Sequence, residues 1–177
     1  DKRASFEGWR EWWDAEGREI ERKRAPLEER RAAVEKARKA GSTKATFYGV
    51  RVVSKRVIFV GDLSGSMEGK AEWMQEGEKA PRAVMRKIDV ARWELKRAIE
   101  NLPADGAFNV MTYEKKVKRF AEGMAANAKE KRAEVLSWMD EWTTEGGTDT
   151  WGGLNEALGV AGVNRAALAA DTIYLIT

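Results

Sequence analysis

Asp62, Ser64 and Ser66 stand at alternate positions directly after an apolar run, Val57-Ile58-Phe59-Val60, that Gly61 closes. A run apolar at every position is what a strand covered on both faces requires, and such strands belong to parallel sheets. In open α/β sheets ligands bind beyond the carboxyl ends of the strands, which is where Asp62 falls. One carboxylate and two hydroxyls at this spacing can turn toward a single point, with Gly65 allowing the tight bend between the serines. All three are hard oxygen donors, a set suited to Mg²⁺. The same pattern also serves as a plain polar turn in which Asp62 and the serines cap backbone groups. Asp-x-Ser-x-Ser by itself does not choose between these two readings.

Other chemistries fail on the residues. A phosphate loop of the Gly-x-x-x-x-Gly-Lys-Ser/Thr type, counted back from Gly69-Lys70, needs glycine where Ser64 stands and a hydroxyl where Ala71 stands. A Gly-x-Gly-x-x-Gly dinucleotide fingerprint is absent from this stretch. An aspartyl phosphotransferase would want a second acid at Ser64. The sequence contains no histidine and no cysteine. That removes disulfides, Cys/His zinc sites, cysteine nucleophiles and histidine-based triads. Any metal is then held by oxygen, as Mg²⁺, Mn²⁺ or Ca²⁺ are. No general base or nucleophile accompanies the motif, so the expectation is a protein that is not an enzyme.

The elements that must position these residues follow from periodicity. Residues 46–53 have strand composition, and 57–60 form the buried strand. Residues 67–82 read as a loop ending near Pro81. Over 83–102, Ile88, Ala91, Leu95, Ala98 and Leu102 recur at three and four, which predicts an amphipathic helix stopped by Pro103. Residues 107–113 are a second strand, with 117–120 turned back beside it. Residues 128–142 are a helix with Val135, Met139 and Trp142 inward, Leu154 to Ala161 lie in another, and 172–176 form a third buried strand. Alternating strands and helices indicate an α/β fold with a mainly parallel sheet.

The segment before this, residues 1–45, reads as a helical appendage. Phe6, Trp9, Trp13 and Ile20 share a face of a helix over 5–24 that Ser5 can cap, and Pro26 fits the first turn of a second helix over 26–40. The Trp9, Trp12, Trp13 cluster suits packing better than ligand binding. The net charge of +3 resides here, because these 45 residues hold 13 of the 32 basic and 10 of the 29 acidic side chains. Mixed charge of this kind is a solvated helix surface and does not point to nucleic acid. No apolar run approaches the roughly 18 residues of a transmembrane helix.

Taken together, several ordered stretches resemble the von Willebrand factor type A (vWA) domain. VIFVGDLSGSM resembles its first strand and first metal motif, KIDVARWELKRAIENLP the helix that follows, and FNVMTYEKKVKRF its second strand and antiparallel edge strand. EGGTDTWGGLNEAL resembles its second metal loop and DTIYLIT its fourth strand. The resemblance covers roughly residues 47–177, so the division it implies is an appendage over 1–45 and the N-terminal part of a vWA domain over 46–177. It implies a Rossmann-like fold with strand order 117–120, 107–113, 57–61, 172–176. It also implies a metal-ion-dependent adhesion site (MIDAS), with hydroxyls from Ser64, Ser66 and Thr148 on one Mg²⁺ and Asp62 binding directly or through water.

A further aspartate of the family falls just past Thr177, so the resemblance implies a domain truncated at its C-terminus. Neutral hydroxyl ligands leave much of the ion's charge unmet, so the family engages an Asp or Glu of a protein partner through the metal. The alternative it leaves open is a structural or regulatory vWA domain whose metal does not contact a partner.

Overall fold

The computed structural model describes residues 7, 10, 11, 13–18, 32, 45–73, 83–162 and 168–177. The chain divides into Asp1–Gly41 and Ser42–Thr177. In the first unit Trp13–Gly17 form a π-helical turn, beside which Arg18 pairs with Asp14 at 2.7 Å. The helices expected over 5–24 and 26–40 fall largely outside the described residues, as do Trp9 and Trp12.

The second unit begins with a small hairpin, β1 (Thr46–Phe47) and β2 (Val50–Arg51), where the sequence suggested one continuous strand. The turn is made at Tyr48 and Gly49, both with positive φ, 47° and 72°. Two left-handed residues match the twist of the flanking strands, which is why the chain reverses instead of running on. Tyr48 tolerates that backbone because its N–H donates to the buried Glu94 carboxylate at 3.0 Å and its ring meets Phe47 edge-on.

The central strand β3 (Arg56–Asp62) is buried from Val57 onward. After a 3₁₀ turn at Gly65–Glu68 come β4 (Lys70–Trp73) and β5 (Ala83–Arg86), paired antiparallel. This corrects two expectations: part of the loop placed at 67–82 is a strand, and the helix expected from 83 begins at Lys87. Lys87 N–H closes the hairpin base on the Gly69 carbonyl at 2.8 Å. Val84 and Met85 therefore pair across the hairpin with Glu72 and Ala71 before the apolar helical repeat takes over at Ile88. Helix α1 (Lys87–Glu100), β6 (Ala107–Tyr113), β7 (Val117–Arg119), β8 (Ala125–Ala126), α2 (Lys129–Asp140), α3 (Thr150–Ala161) and β9 (Thr172–Ile176) complete the order.

The strands assemble as β7-β6-β3-β9, the order the resemblance implied. β3 runs parallel to both β6 and β9, and β7 is antiparallel to β6. β8 adds a second short antiparallel partner to β6, which periodicity did not reveal. Alternation along β3 decides the layers. Val57 and Phe59 join Ile88, Leu95, Ile99, Val135 and Met139 on one face. Ile58 and Val60 join Ala157, Val160 and Ala161 on the other. The result is a sheet between α1 and α2 on one side and α3 on the other. The resemblance makes 172–176 a buried strand of a full domain that lies at an edge in this chain; β9 does stand at a sheet edge among the described residues, and only its Ile176 is buried. No helix among them is long and apolar enough to cross a membrane.

The sequence has three tyrosines, and each phenol is pushed above its ordinary value. Tyr48 rises to about 12 through lost hydration and then the Glu94 charge. Tyr113 rises chiefly through burial, helped by Asp62 and opposed by hydrogen bonds with Thr150 and Thr177, and Tyr174 rises through burial alone. An unfolded chain releases these protons near the ordinary value of 10, before the folded protein does. Folded-state stability from this source is therefore whole below pH 10 and declines as pH climbs toward 12, the effect at Tyr48 being muted by its 45% exposure. In an alkaline titration, near-ultraviolet phenolate absorbance should lag behind that of free tyrosine and surge when circular dichroism reports unfolding. Three phenols titrating normally in a protein with intact native dichroism would contradict this.

Candidate metal centre

Parallel pairing brings Asp62 to the carboxyl end of β3, in register with Tyr113 at the end of β6. Asp62 is only 4% exposed, and its Oδ1 accepts the Ser64 N–H at 2.6 Å. This bond bends the chain back over the strand end, so Ser64 is buried while Ser66 reaches the surface. The Ser64 and Ser66 hydroxyl oxygens stand 3.0 Å apart.

The second loop, from 143 to 149, is tied to the first loop near one end and to the end of β6 at the other. Ser64 and Glu145 form a parallel bridge, in which the Glu145 N–H donates to the Leu63 carbonyl at 2.9 Å. At the far end of the loop the Asp149 N–H donates to the Glu114 carbonyl at 2.7 Å, while the Leu63 N–H donates to Tyr113 at 2.9 Å. Gly147 is required between these ties: its φ is 117°, and a side chain there would lie 2.5 Å from Lys115 Cγ. Asp149 then caps α3, accepting the Gly152 N–H at 2.8 Å. A Cβ on Gly153 would sit 2.8 Å from the Tyr113 ring, so glycine lets α3 press this closely on β6.

Asp62, Ser64 and Ser66 are thus gathered, and Thr148 rides exposed on the neighbouring loop without a hydrogen bond to them. Among the described residues no three His, Cys, Asp or Glu side chains cluster as a metal site. The donor set is instead one carboxylate and neutral hydroxyls. Its chemistry fits a small hard cation. Two oxygens each about 2.0–2.1 Å from an octahedral ion stand about 2.9 Å apart, close to the Ser64–Ser66 separation. That separation is equally a hydrogen bond. A second buried carboxylate, Glu114, follows β6, with Oε1 3.6 Å from Lys118 Nζ and Oε2 buried without a partner. Two buried carboxylates, Asp62 and the Lys118-paired Glu114, therefore stand at the ends of neighbouring strands on this side of the sheet, and negative charge there favours a cation.

Sequence reasoning missed the residues that join the two loops. Glu68 accepts from the Thr144 hydroxyl and from Arg86, and these hydrogen bonds hold its carboxyl below the usual range. Glu68 lies outside the recognisable motifs, and Glu145 opens the second one without any signal that it meets Ser64. Only their contacts across the fold mark them.

No family model and no curated protein matches this sequence. Among solved structures, it is similar to a von Willebrand factor type A protein from Catenulispora acidiphila, at 20% identity and a TM-score of 0.47. It is also similar to the D319A mutant of the PilB minor pilin from Streptococcus sanguinis, at 18% identity and a TM-score of 0.42. The matches cover 60% and 67% of this chain, which spans only 22% and 28% of those chains.

Proposed function

We propose that this protein is a divalent-metal-dependent binding module of the von Willebrand factor type A kind, with Asp62, Ser64, Ser66 and Thr148 as its MIDAS residues. The observation that carries the reading is the joining of two loops 82 residues apart, Ser66 to Thr148, at the carboxyl end of the central strand through the Ser64–Glu145 bridge. Asp62 supplies charge from below, Ser64 and Ser66 supply hydroxyls from the first loop, and Thr148 supplies one from the second. Mg²⁺, or Mn²⁺ or Ca²⁺ in its place, would supply an electrophilic position for a partner's Asp or Glu. The exposure of Ser66 and Thr148 leaves that position reachable by a protein surface. With no histidine or cysteine in the chain, the proposed activity is binding and not catalysis.

The self-contained Asp62–Ser64 and Ser64–Ser66 hydrogen bonds also suit a second reading. In it the domain is structural or regulatory, and its site steadies the loop without touching a partner. Calorimetric titration with Mg²⁺ tests the site itself. Wild type should bind one ion, and Ser64→Ala and Thr148→Ala should each weaken binding at least about tenfold with an unchanged circular dichroism spectrum. Equal affinity in all three proteins would reduce these residues to turn-forming polar groups. Metal binding without metal-dependent capture of carboxylate-bearing peptides would favour the second reading.

A further inference from the structure

We propose that Glu68 is a positioning residue that holds the two metal loops in register through Thr144; the proposal rests on the metal-site reading above. Glu68 closes the 3₁₀ turn that begins beside Ser66, and Thr144 opens the loop that carries Thr148. The Thr144 hydroxyl donates to Glu68 Oε1, a side-chain bond between two loops that are 76 residues apart.

Both partners are anchored from behind. Arg86 donates to both Glu68 oxygens at 3.3 Å and grips Asp89 at 2.8 and 3.0 Å. Arg92 donates to Asp89 at 3.1 Å and to the Met139 and Trp142 carbonyls, each at 2.9 Å. Those two carbonyls lie where α2 ends and the second loop departs. The contacts therefore form a closed circuit: first loop, Arg86, Asp89, Arg92, second loop, and back through Thr144 to Glu68. Planar guanidinium groups with several fixed donors suit such a frame.

An ordinary surface ion pair would have the same appearance, and exposed pairs contribute little to stability. The difference lies in what the circuit controls. Ser66 and Thr148 must stand at a set separation to serve one ion, and a misplaced ligand weakens binding even when every ligand is present. The charge on Glu68 matters less in this scheme than its acceptor oxygen.

The test is Mn²⁺ affinity by titration calorimetry in wild type, Ser64→Ala, Glu68→Ala, Glu68→Gln, Thr144→Val and the Glu68→Ala/Thr144→Val double variant. Glu68→Ala and Thr144→Val should each weaken Mn²⁺ binding about tenfold, and the double variant should be no weaker than either. Glu68→Gln, which retains an acceptor for Thr144, should stay within about twofold of wild type. Melting temperatures without metal should be the same throughout. If Ser64→Ala loses affinity while Glu68→Ala and Thr144→Val do not, the clamp is wrong and the metal site stands. Additive losses in the double variant, or no rescue by Glu68→Gln, also overturn it. If Ser64→Ala binds like wild type, the metal reading fails and takes this proposal with it.

Discussion

Asp62→Asn is expected to leave the metal-free protein at least as stable as wild type, yet to abolish stabilisation by Mg²⁺. Asp62 is almost wholly buried, and among the described residues no cation pairs with it. Burying an unpaired charge is costly. Asparagine keeps an amide oxygen to accept the Ser64 N–H and loses only the charge, so the turn survives. In wild type, a ligand at a hundredfold its dissociation constant adds about 2.7 kcal/mol to folding stability. The variant should gain almost none. The ranking of the two proteins therefore inverts between chelator and saturating Mg²⁺, which paired urea denaturation curves will show. A variant equally destabilised under both conditions would mean that Asp62 is only a cap for the turn.

Phe59→Ala should be the most damaging single change in the sheet, at about 3–5 kcal/mol. Phe59 is fully buried at the middle of β3. Its ring stacks on Tyr174 of β9 with centroids 5.5 Å apart and leans on Phe47 of β1 at 5.1 Å. Phe47 and Tyr174 also touch, at 5.4 Å. Removing the shared ring leaves a cavity that the other two cannot fill without moving β1 or β9. Leu175→Ala, in the same edge strand but 39% exposed, should cost about 0.5 kcal/mol or less. Urea midpoints measured side by side compare them, and similar losses would show that the three rings do not act as a unit.

The frame of this fold was legible because its signals are local. Val57–Val60 is apolar at every position, and Ile88, Ala91, Leu95 and Ala98 repeat at helical spacing, so the strand and most of α1 could be read directly. The hairpin at β4 and β5 was not legible. Val84 and Met85 sit next to a strong helical repeat, and only pairing with Glu72 and Ala71 holds them extended. The reversal at Tyr48 was likewise hidden, since tyrosine is an unusual occupant of a left-handed turn and gives no signal comparable to Asn-Gly.

The sequence by itself determined the candidate oxygen groups: Asp62, Ser64 and Ser66 at alternate positions on a strand end, in a chain without histidine or cysteine. It could not decide what stands opposite them. Glu145 beside Ser64, Glu114 beneath Asp149, and Thr144 on Glu68 are each separated in sequence by tens of residues from their partners. Parallel strands are joined by crossovers and not by tight turns, so residues at neighbouring strand ends are distant along the chain. The approach of the two loops exists only once β3, β6 and their flanking helices have packed, because packing around the whole sheet, and no local preference, sets the distance between them.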